Sequence, residues 1–440
     1  MISIPWHRSH RAACLVPTAV ALAVADGHPA LARALDRCGT GLRVARQCAS
    51  VTELLSVSIT RQVHLAVLDT ALAELDRTVP ERLRRAGVGG VLLVGPGEGD
   101  WGQPGWTVLP RGCPEAAVVR ELQEVARAER GRDGVGKVGG GGSGVGAAGA
   151  LVAVWGPHGA PGRTTVAAAL AHGLAQRGGS ILVDADVQAP SLNQVLGLGE
   201  QPASVATAAR LASRSTLDQE ALAALLVPVG PGERVLGGVG RAGRWRELPP
   251  VAMEHVWELS RHLAAWTVVD VAGGEVEEEV DSYTLEPGRG ALVASLLRQA
   301  DVIVVVGQAD AVGMRRLTQL LTGLRQMEAV RGRLQVVVNR VRPASAGPDP
   351  ARAVRRVLAD RIGSEELVLL PEGPQVDRAL RHGRSVLEDD ADSPLGLALT
   401  GLVNHLAPAA CDPAPACPGR GPCRSRAVPA WLTWRTRSLT

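Results

Sequence analysis

Residues 151–165 read LVAVWGPHGAPGRTT. The first five, Leu151-Val152-Ala153-Val154-Trp155, form an apolar run of the kind that makes a parallel strand buried on both faces. A glycine-rich loop follows, Gly156 to Gly162, and then Arg163-Thr164-Thr165 opens a helical pattern, VAAALAHGLAQR, that Gly178-Gly179 stops. Strand, glycine-rich loop and helix in that order are the context in which a phosphate is held. Curled backbone points its N–H groups inward, the helix N-terminus adds partial positive charge, and a threonine hydroxyl can reach a magnesium ion. The lysine expected before the threonine is here Arg163.

The rest of the composition frames that reading. A chain of 440 residues with 46% apolar content can bury two cores. With 9 Trp, 1 Tyr and no Phe, those cores must be built from Val, Leu and Ala. Lys137 is the only lysine, so the arginine in the loop reflects a bias of the whole chain. A net charge of +3 is too small and too dispersed to mark a nucleic-acid surface. The 7 cysteines lack metal-ligand spacing and are expected as free thiols in a reducing cytosol. Arg8, His10 and Arg11 ahead of Leu15–Ala25 imitate a secretory signal, but the same run also reads as the first strand of an α/β domain, the reading adopted here. No run is long enough to span a membrane, and a cytoplasmic protein is expected.

Residues 18–128 alternate strand-like and helix-like segments. Strands are expected at Thr18–Ala25, Gly41–Gln47, Val63–Leu68, Val88–Val94 and Trp106–Leu109, and helices at Pro29–Cys38, Val51–Gln62, Ala73–Arg85 and Pro114–Arg127. Five βα repeats in so short a span predict a flavodoxin-like doubly wound sheet. The stretch resembles a response-regulator receiver domain, with Asp69 in the phosphoacceptor position. Only Asp26 follows the first strand where that family has an acidic pair. Val94-Gly95 replaces its hydroxyl, and Leu109 precedes Pro110 where it has a lysine. These departures predict a pseudo-receiver that is not phosphorylated. The domain plan is therefore a receiver-like domain at 1–128, a glycine-rich linker at 129–150, a phosphate-loop NTPase domain with a mostly parallel sheet at 151–407, and a disordered Pro/Arg-rich tail at 408–440.

Two further strand ends supply carboxylates. Ser180–Val183 runs into Asp184-Ala185-Asp186 and on to Ser191-Leu192-Asn193, which puts two carboxylates beside the phosphate loop where a metal and an attacking water would sit. Trp266–Val269 ends Asp270-Val271-Ala272-Gly273, the Asp-x-x-Gly element that holds metal-bound water and approaches the γ-phosphate. Strands at Val302–Val306 and Leu334–Val338 follow, the second leading into Asn339-Arg340-Val341-Arg342-Pro343, where a strand-end amide can read a base edge.

With these elements, and the late series Leu370-Pro371, Val376, Ala379, Gly383, Leu387 and Ser393-Pro394, residues 151–405 resemble the MinD/ParA superfamily of dimerising ATPases. Joined to a receiver-like domain, the chain most resembles the CpaE/TadZ branch, which places pilus or secretion machinery in the bacterial envelope, and an actinobacterial septum-site-determining group. The resemblance implies ATP and Mg²⁺ as cofactors. It implies that Gly156, Pro157, His158, Gly159, Ala160, Pro161, Gly162, Arg163, Thr164 and Thr165 wrap the phosphates, that Asn339 and Arg340 face the base, and that Thr164, Asp186 and Asp270 lie on the metal side. Asp186, with Asp184 and Arg163, would carry the chemistry. It further implies a nucleotide-dependent homodimer and protein partners in a pilus, secretion or division apparatus.

Two departures bear on activity. The superfamily's signature lysine, which reaches the partner's nucleotide, is His158, and the loop lysine is Arg163, so a catalytically weak or inactive scaffold of the same fold is the alternative. A ParA-like DNA-partitioning ATPase is a third reading. It would need a concentrated basic patch, for which Met314-Arg315-Arg316 and Ala351–Arg361 are the only candidates. The acidic tract Glu275–Glu286 is read as a solvated loop, with a nucleotide-responsive partner surface as the alternative. In the tail, Trp431, Leu432, Trp434 and Leu439 among Arg435 and Arg437 form a candidate membrane contact, too short and irregular for an interfacial helix.

Overall fold

The computed structural model describes residues 17–25, 28–130, 149–159, 162–199, 204–274, 276, 280–327, 329–363 and 366–408. The linker residues 131–148, the tail beyond Pro408, Asp26, Ala160 and Pro161 lie outside the described residues.

The first five strands are β1 (Thr18–Ala23), β2 (Leu42–Gln47), β3 (Leu65–Asp69), β4 (Gly89–Val94) and β5 (Trp106–Pro110). All pair in parallel in the order β2-β1-β3-β4-β5, the flavodoxin-like order. Within the apolar run that imitated a signal sequence, Thr18–Ala23 is a strand inside this sheet. The helix expected at Ala73–Arg85 begins only at Thr78. Pro80 explains the late start: it lacks an N–H and is tolerated only in a first turn. Asp76 caps that turn by accepting the Thr78 amide at 2.8 Å.

The second sheet comprises β6 (Ala150–Trp155), β7 (Ser180–Ala185), β8 (Val227–Gly230), β9 (Glu233–Leu236), β10 (Trp266–Val271), β11 (Val302–Gln308), β12 (Arg333–Val341) and β13 (Leu367–Pro371). Their order is β13-β12-β11-β6-β10-β7-β9-β8, parallel throughout except for the β8–β9 hairpin at one edge. The molecule is therefore α/β with two doubly wound, essentially parallel sheets. The hairpin is not evident from the sequence, because Val227–Leu236 is short and interrupted by Pro228 and Gly232.

Alternation along β6 builds both layers of core. Leu151, Ala153 and Trp155 pack into one apolar cluster, and Val152 and Val154 into the cluster on the opposite face. The second cluster is covered by two helices, Arg163–Ala175 directly after the loop and Pro394–Leu406 near the end of the described chain. Alanine-rich Arg163–Ala175 lies close to the sheet, which its small side chains permit.

Strand order is what positions the site. β6, β10 and β7 are neighbours, so the loop after β6, the Asp-x-x-Gly turn after β10 and the acidic turn after β7 open at the same edge. Register aligns them further: Asp270 pairs with Val154 on one side and with Asp184 on the other. Ligands of open parallel sheets lie at such carboxyl ends.

Candidate nucleotide site

Gly162 begins the site from the backbone. It caps the helix Arg163–Ala175 at φ 104°, a left-handed conformation that disfavours any side chain. A Cβ there would also lie 2.2 Å from Nδ2 of Asn339. Asn339 at the end of β12 is thus packed on the loop, the one base-side residue the structure brings to it. Arg340 is exposed, with φ 57°. Five residues separate Gly156 from Gly162, one more than phosphate loops use, so the residue in the first-glycine position is Pro157, and Gly156 directly follows β6.

Arg163 turns across the loop. Its Nη2 pairs with Asp186 Oδ2 at 3.2 Å and its Nη1 donates to the Pro157 carbonyl at 3.3 Å, while the buried Nε has no partner among the described residues. Gly273 makes the space: a Cβ there would stand 2.2 Å from Arg163 Nη1. Gly274, at φ 118°, does the same for His158, whose Nε2 would be 2.1 Å from a Cβ. The Gly274 amide donates to the Gly156 carbonyl at 2.9 Å, tying the two turns together. The glycines after Asp270 therefore admit Arg163 and His158. His158 is exposed, and its carbonyl accepts from Arg316 Nη1 at 3.0 Å. Arg316 approaches from the helix Ala311–Gln326, a contact no local sequence pattern announces.

Three carboxylates lie beneath. Thr164 donates its hydroxyl to Asp270 Oδ2 at 2.6 Å, with Ser191 Oγ 3.5 Å from the same hydroxyl. Asp270 is 1% exposed, and its Oδ1 is buried without a partner among the described residues. Burial, and then the charge of nearby Asp184, pushes Asp270 up to about 8. Burial likewise pushes Asp184 up to about 6, against the opposing pull of its backbone donors. Asp184 Oδ1 accepts from the Asp186 amide, and its Oδ2 from the Ser191 and Leu192 amides at 3.1 Å. Asp184, expected among the residues that carry the chemistry, is held by the backbone of the turn that presents Asp186. Asp186 Oδ1 accepts from the Gln188 and Ala189 amides at 2.9 Å, leaving Oδ2 for Arg163.

This donor set fits a magnesium nucleotide. An orphaned, buried carboxylate oxygen beside a threonine hydroxyl is a desolvated anionic position that a divalent cation would neutralise. Among the described residues no group of three or more His, Cys, Asp and Glu could hold a metal alone. Magnesium is typically held by one or two protein oxygens together with phosphates and water.

The first sheet carries its own polar cluster. Asp69, buried at the end of β3, pairs with Arg111 Nε at 2.7 Å, and Arg111 Nη2 reaches Thr70 Oγ1 at 2.9 Å and Glu98 Oε1 at 3.0 Å. A cation does therefore face Asp69, although the end of β4 carries Val94-Gly95 and no hydroxyl, and Thr70 directly follows β3. β5 continues through Pro110, which pairs with Val94, so the cation facing Asp69 is Arg111, two residues beyond Leu109.

Phosphate loop, Asp-x-x-Gly turn and acidic turn at three adjacent parallel strand ends define a phosphate-loop nucleotide-binding protein. Residues 152–386, more than half of the chain, match the family described as the CobQ/CobB/MinD/ParA nucleotide binding domain, and the chain belongs to that family. No curated protein gives a significant match to the sequence. Among solved structures it is similar to a ParA family ATPase from Chlorobium tepidum TLS (18% identity, TM-score 0.49, 59% of this chain and 100% of that chain). It is also similar to the cell division ATPase MinD of Pyrococcus furiosus (17%, 0.46, 59% and 98%). A third is the septum site-determining protein MinD of Pyrococcus horikoshii OT3 complexed with Mg-ADP (16%, 0.46, 59% and 96%).

Proposed function

We propose that the protein is a nucleotide-gated regulatory ATPase that binds ATP with Mg²⁺, dimerises when loaded and positions envelope machinery of the pilus, secretion or septum-site kind. On this reading the receiver-like domain at 1–128 addresses the complex to its partners. The observation that carries the nucleotide part is Asp270: a buried carboxylate with one oxygen on Thr164 and the other unpartnered, directly under the loop. The envelope role rests on the sequence resemblance and on the pairing of a flavodoxin-like sheet with this ATPase sheet.

Magnesium, when bound, would neutralise phosphate charge between Thr164 and Asp270. The chain's own residues do the rest. Gly162 and the first amides of the helix Arg163–Ala175 offer N–H donors to phosphate oxygens. Arg163 is held by Asp186 and the Pro157 carbonyl. Phosphate oxygens are the stronger partner for a guanidinium fork, so capture of phosphate withdraws Arg163 from Asp186. Asp186 is then free to orient water. Phosphate capture and release of the switch carboxylate become one event.

The same ion pair favours a second reading, a scaffold that binds nucleotide without turnover, in which Asp186 stays with Arg163. ATP and ADP affinity of the full chain, with turnover measured in the same samples, separates the two. Micromolar ATP binding with slow hydrolysis that Asp186→Ala abolishes supports the ATPase. Binding without turnover in every variant supports the scaffold, and no binding at all overturns both.

A further inference from the structure

A second cavity, about 360 Å³, lies where the two sheets' domains meet. Its walls come from the helix Thr78–Arg85 of the first sheet and from the helix Ser204–Ser213, the turn Trp245–Pro250 and the segment Glu286–Arg289 of the second. Five arginines line it: Arg82, Arg210, Arg214, Arg246 and Arg289. The three acidic residues in its walls are already engaged. Asp76 caps its helix, Glu247 pairs with Arg244, and Glu286 pairs with Arg246 at 2.7 Å. Arg82 donates to the Thr284 carbonyl. The guanidinium groups of Arg210, Arg214 and Arg289 make no hydrogen bond or ion pair among the described residues.

Arg210, in the last turn of its helix, and Arg214, just beyond it, are four residues apart, a spacing at which like charges repel. The helix C-terminus accounts for one such cation. It does not account for a second, or for Arg289 brought to the same cavity from a different segment. Beside them Trp245 is half-buried, with Arg246 stacked on its ring at 4.4 Å, and Val187, Leu248 and Leu292 supply apolar wall. The volume falls in the range of small-ligand sites, roughly 300–1,000 Å³.

We propose that this junction is a binding site for a small organic diphosphate, its anionic end on Arg210, Arg214 and Arg289 and its organic part against Trp245. The site is separate from the phosphate loop and does not depend on how that loop is read. Val187 follows Asp186 directly, and Arg289 also lines the cavity beside Pro157, His158 and Gly273, so the ligand would lie one side chain from the nucleotide cleft.

Calorimetric titration of the full chain with inorganic pyrophosphate, without magnesium, tests the site. Arg163→Ala removes the loop's cation and should leave pyrophosphate binding at the junction in place. Adding Arg210→Ala and Arg214→Ala to that variant should weaken the remaining binding at least tenfold, and the corresponding lysine pair should restore part of it. Arg210 and Arg214 are both exposed, so thermal melts should coincide; if the triple variant fails to fold, Arg214→Gln alone on Arg163→Ala should weaken binding at least threefold. Loss of all binding in Arg163→Ala, or binding unchanged by the junction substitutions, overturns the proposal.

Discussion

Asp270→Asn should stabilise the nucleotide-free protein while removing its nucleotide chemistry. Asp270 has a folded-state value of about 8 against an ordinary 3.8, mainly because burial disfavours its charge. The folded chain then holds a proton that the unfolded chain has lost, so between pH 4 and pH 8 stability falls as pH rises. At about 1.36 kcal/mol per pKa unit, the contribution of this one group should decline by roughly 3–4 kcal/mol between pH 5 and pH 8. Asparagine is nearly isosteric, can still accept the Thr164 hydroxyl, and carries no charge to bury. Unfolding free energies from urea melts of wild type and variant, without nucleotide and with a chelator, should differ by about 1–2 kcal/mol at pH 5 and by about 5 kcal/mol at pH 8, the variant being the more stable. Magnesium and ATP should reverse the order, because only the carboxylate gains from the cation. Equal midpoints at both pH values would show that Asp270 is ionised in the folded protein and would refute the burial argument.

Other consequences are more direct. Because Asp270 is protonated at pH 7 and must ionise to face magnesium, Mg-ATP binding should release close to one proton per site, read from the buffer dependence of the calorimetric enthalpy. Gly162→Ala places a Cβ at φ 104° against Asn339, so it should cost about 1–2 kcal/mol in stability and at least tenfold in ATP affinity, by melting and titration. Arg111→Ala strips the buried Asp69 of its cation and should destabilise by about 3 kcal/mol, whereas Arg111→Ala combined with Asp69→Asn should recover most of that loss. A chemical melt of the single and double variants checks it.

How far the sequence carried the fold depends on how far each signal is local. β6, β7, β10 and β11 are built on near-continuous apolar runs, each stopped by Gly156, Asp184, Asp270 or Gly307, and period and composition alone locate them. The start of the helix at Thr78 follows from Pro80, a rule readable in advance but outweighed by the apolar spacing from Ala73. The β8–β9 hairpin carries too little apolar alternation to read. That Gly162, Thr164, Asp186 and Asp270 gather at one edge was legible, because loop and strand-end patterns fix their neighbours in sequence. Arg316 over His158 and Arg111 on Asp69 were not, since each contact joins segments that only tertiary packing brings together. The backbone partners of Asp184 were hidden for a related reason. A carboxylate facing a cleft and one gathering the amides of its own turn look alike until those amides are placed.

Arginine in a loop that ordinarily carries lysine changes more than size. A lysine would offer Asp186 a single mobile ammonium. Arg163 offers a planar fork, one arm on Asp186 and the other on the Pro157 carbonyl, in a slot that Gly273 keeps open. The slot is buried, so the pair is stabilised by a low local dielectric but also held away from water that could compensate either charge. A ligand can dissolve the pair only by supplying anionic oxygens to Arg163 and leaving Asp186 with its two backbone donors, which already stabilise its charge. A phosphate supplies those oxygens, whereas chloride at ordinary concentration has neither the second oxygen nor the geometry. On the reading proposed above, the Arg163–Asp186 pair would make Asp186's freedom conditional on phosphate.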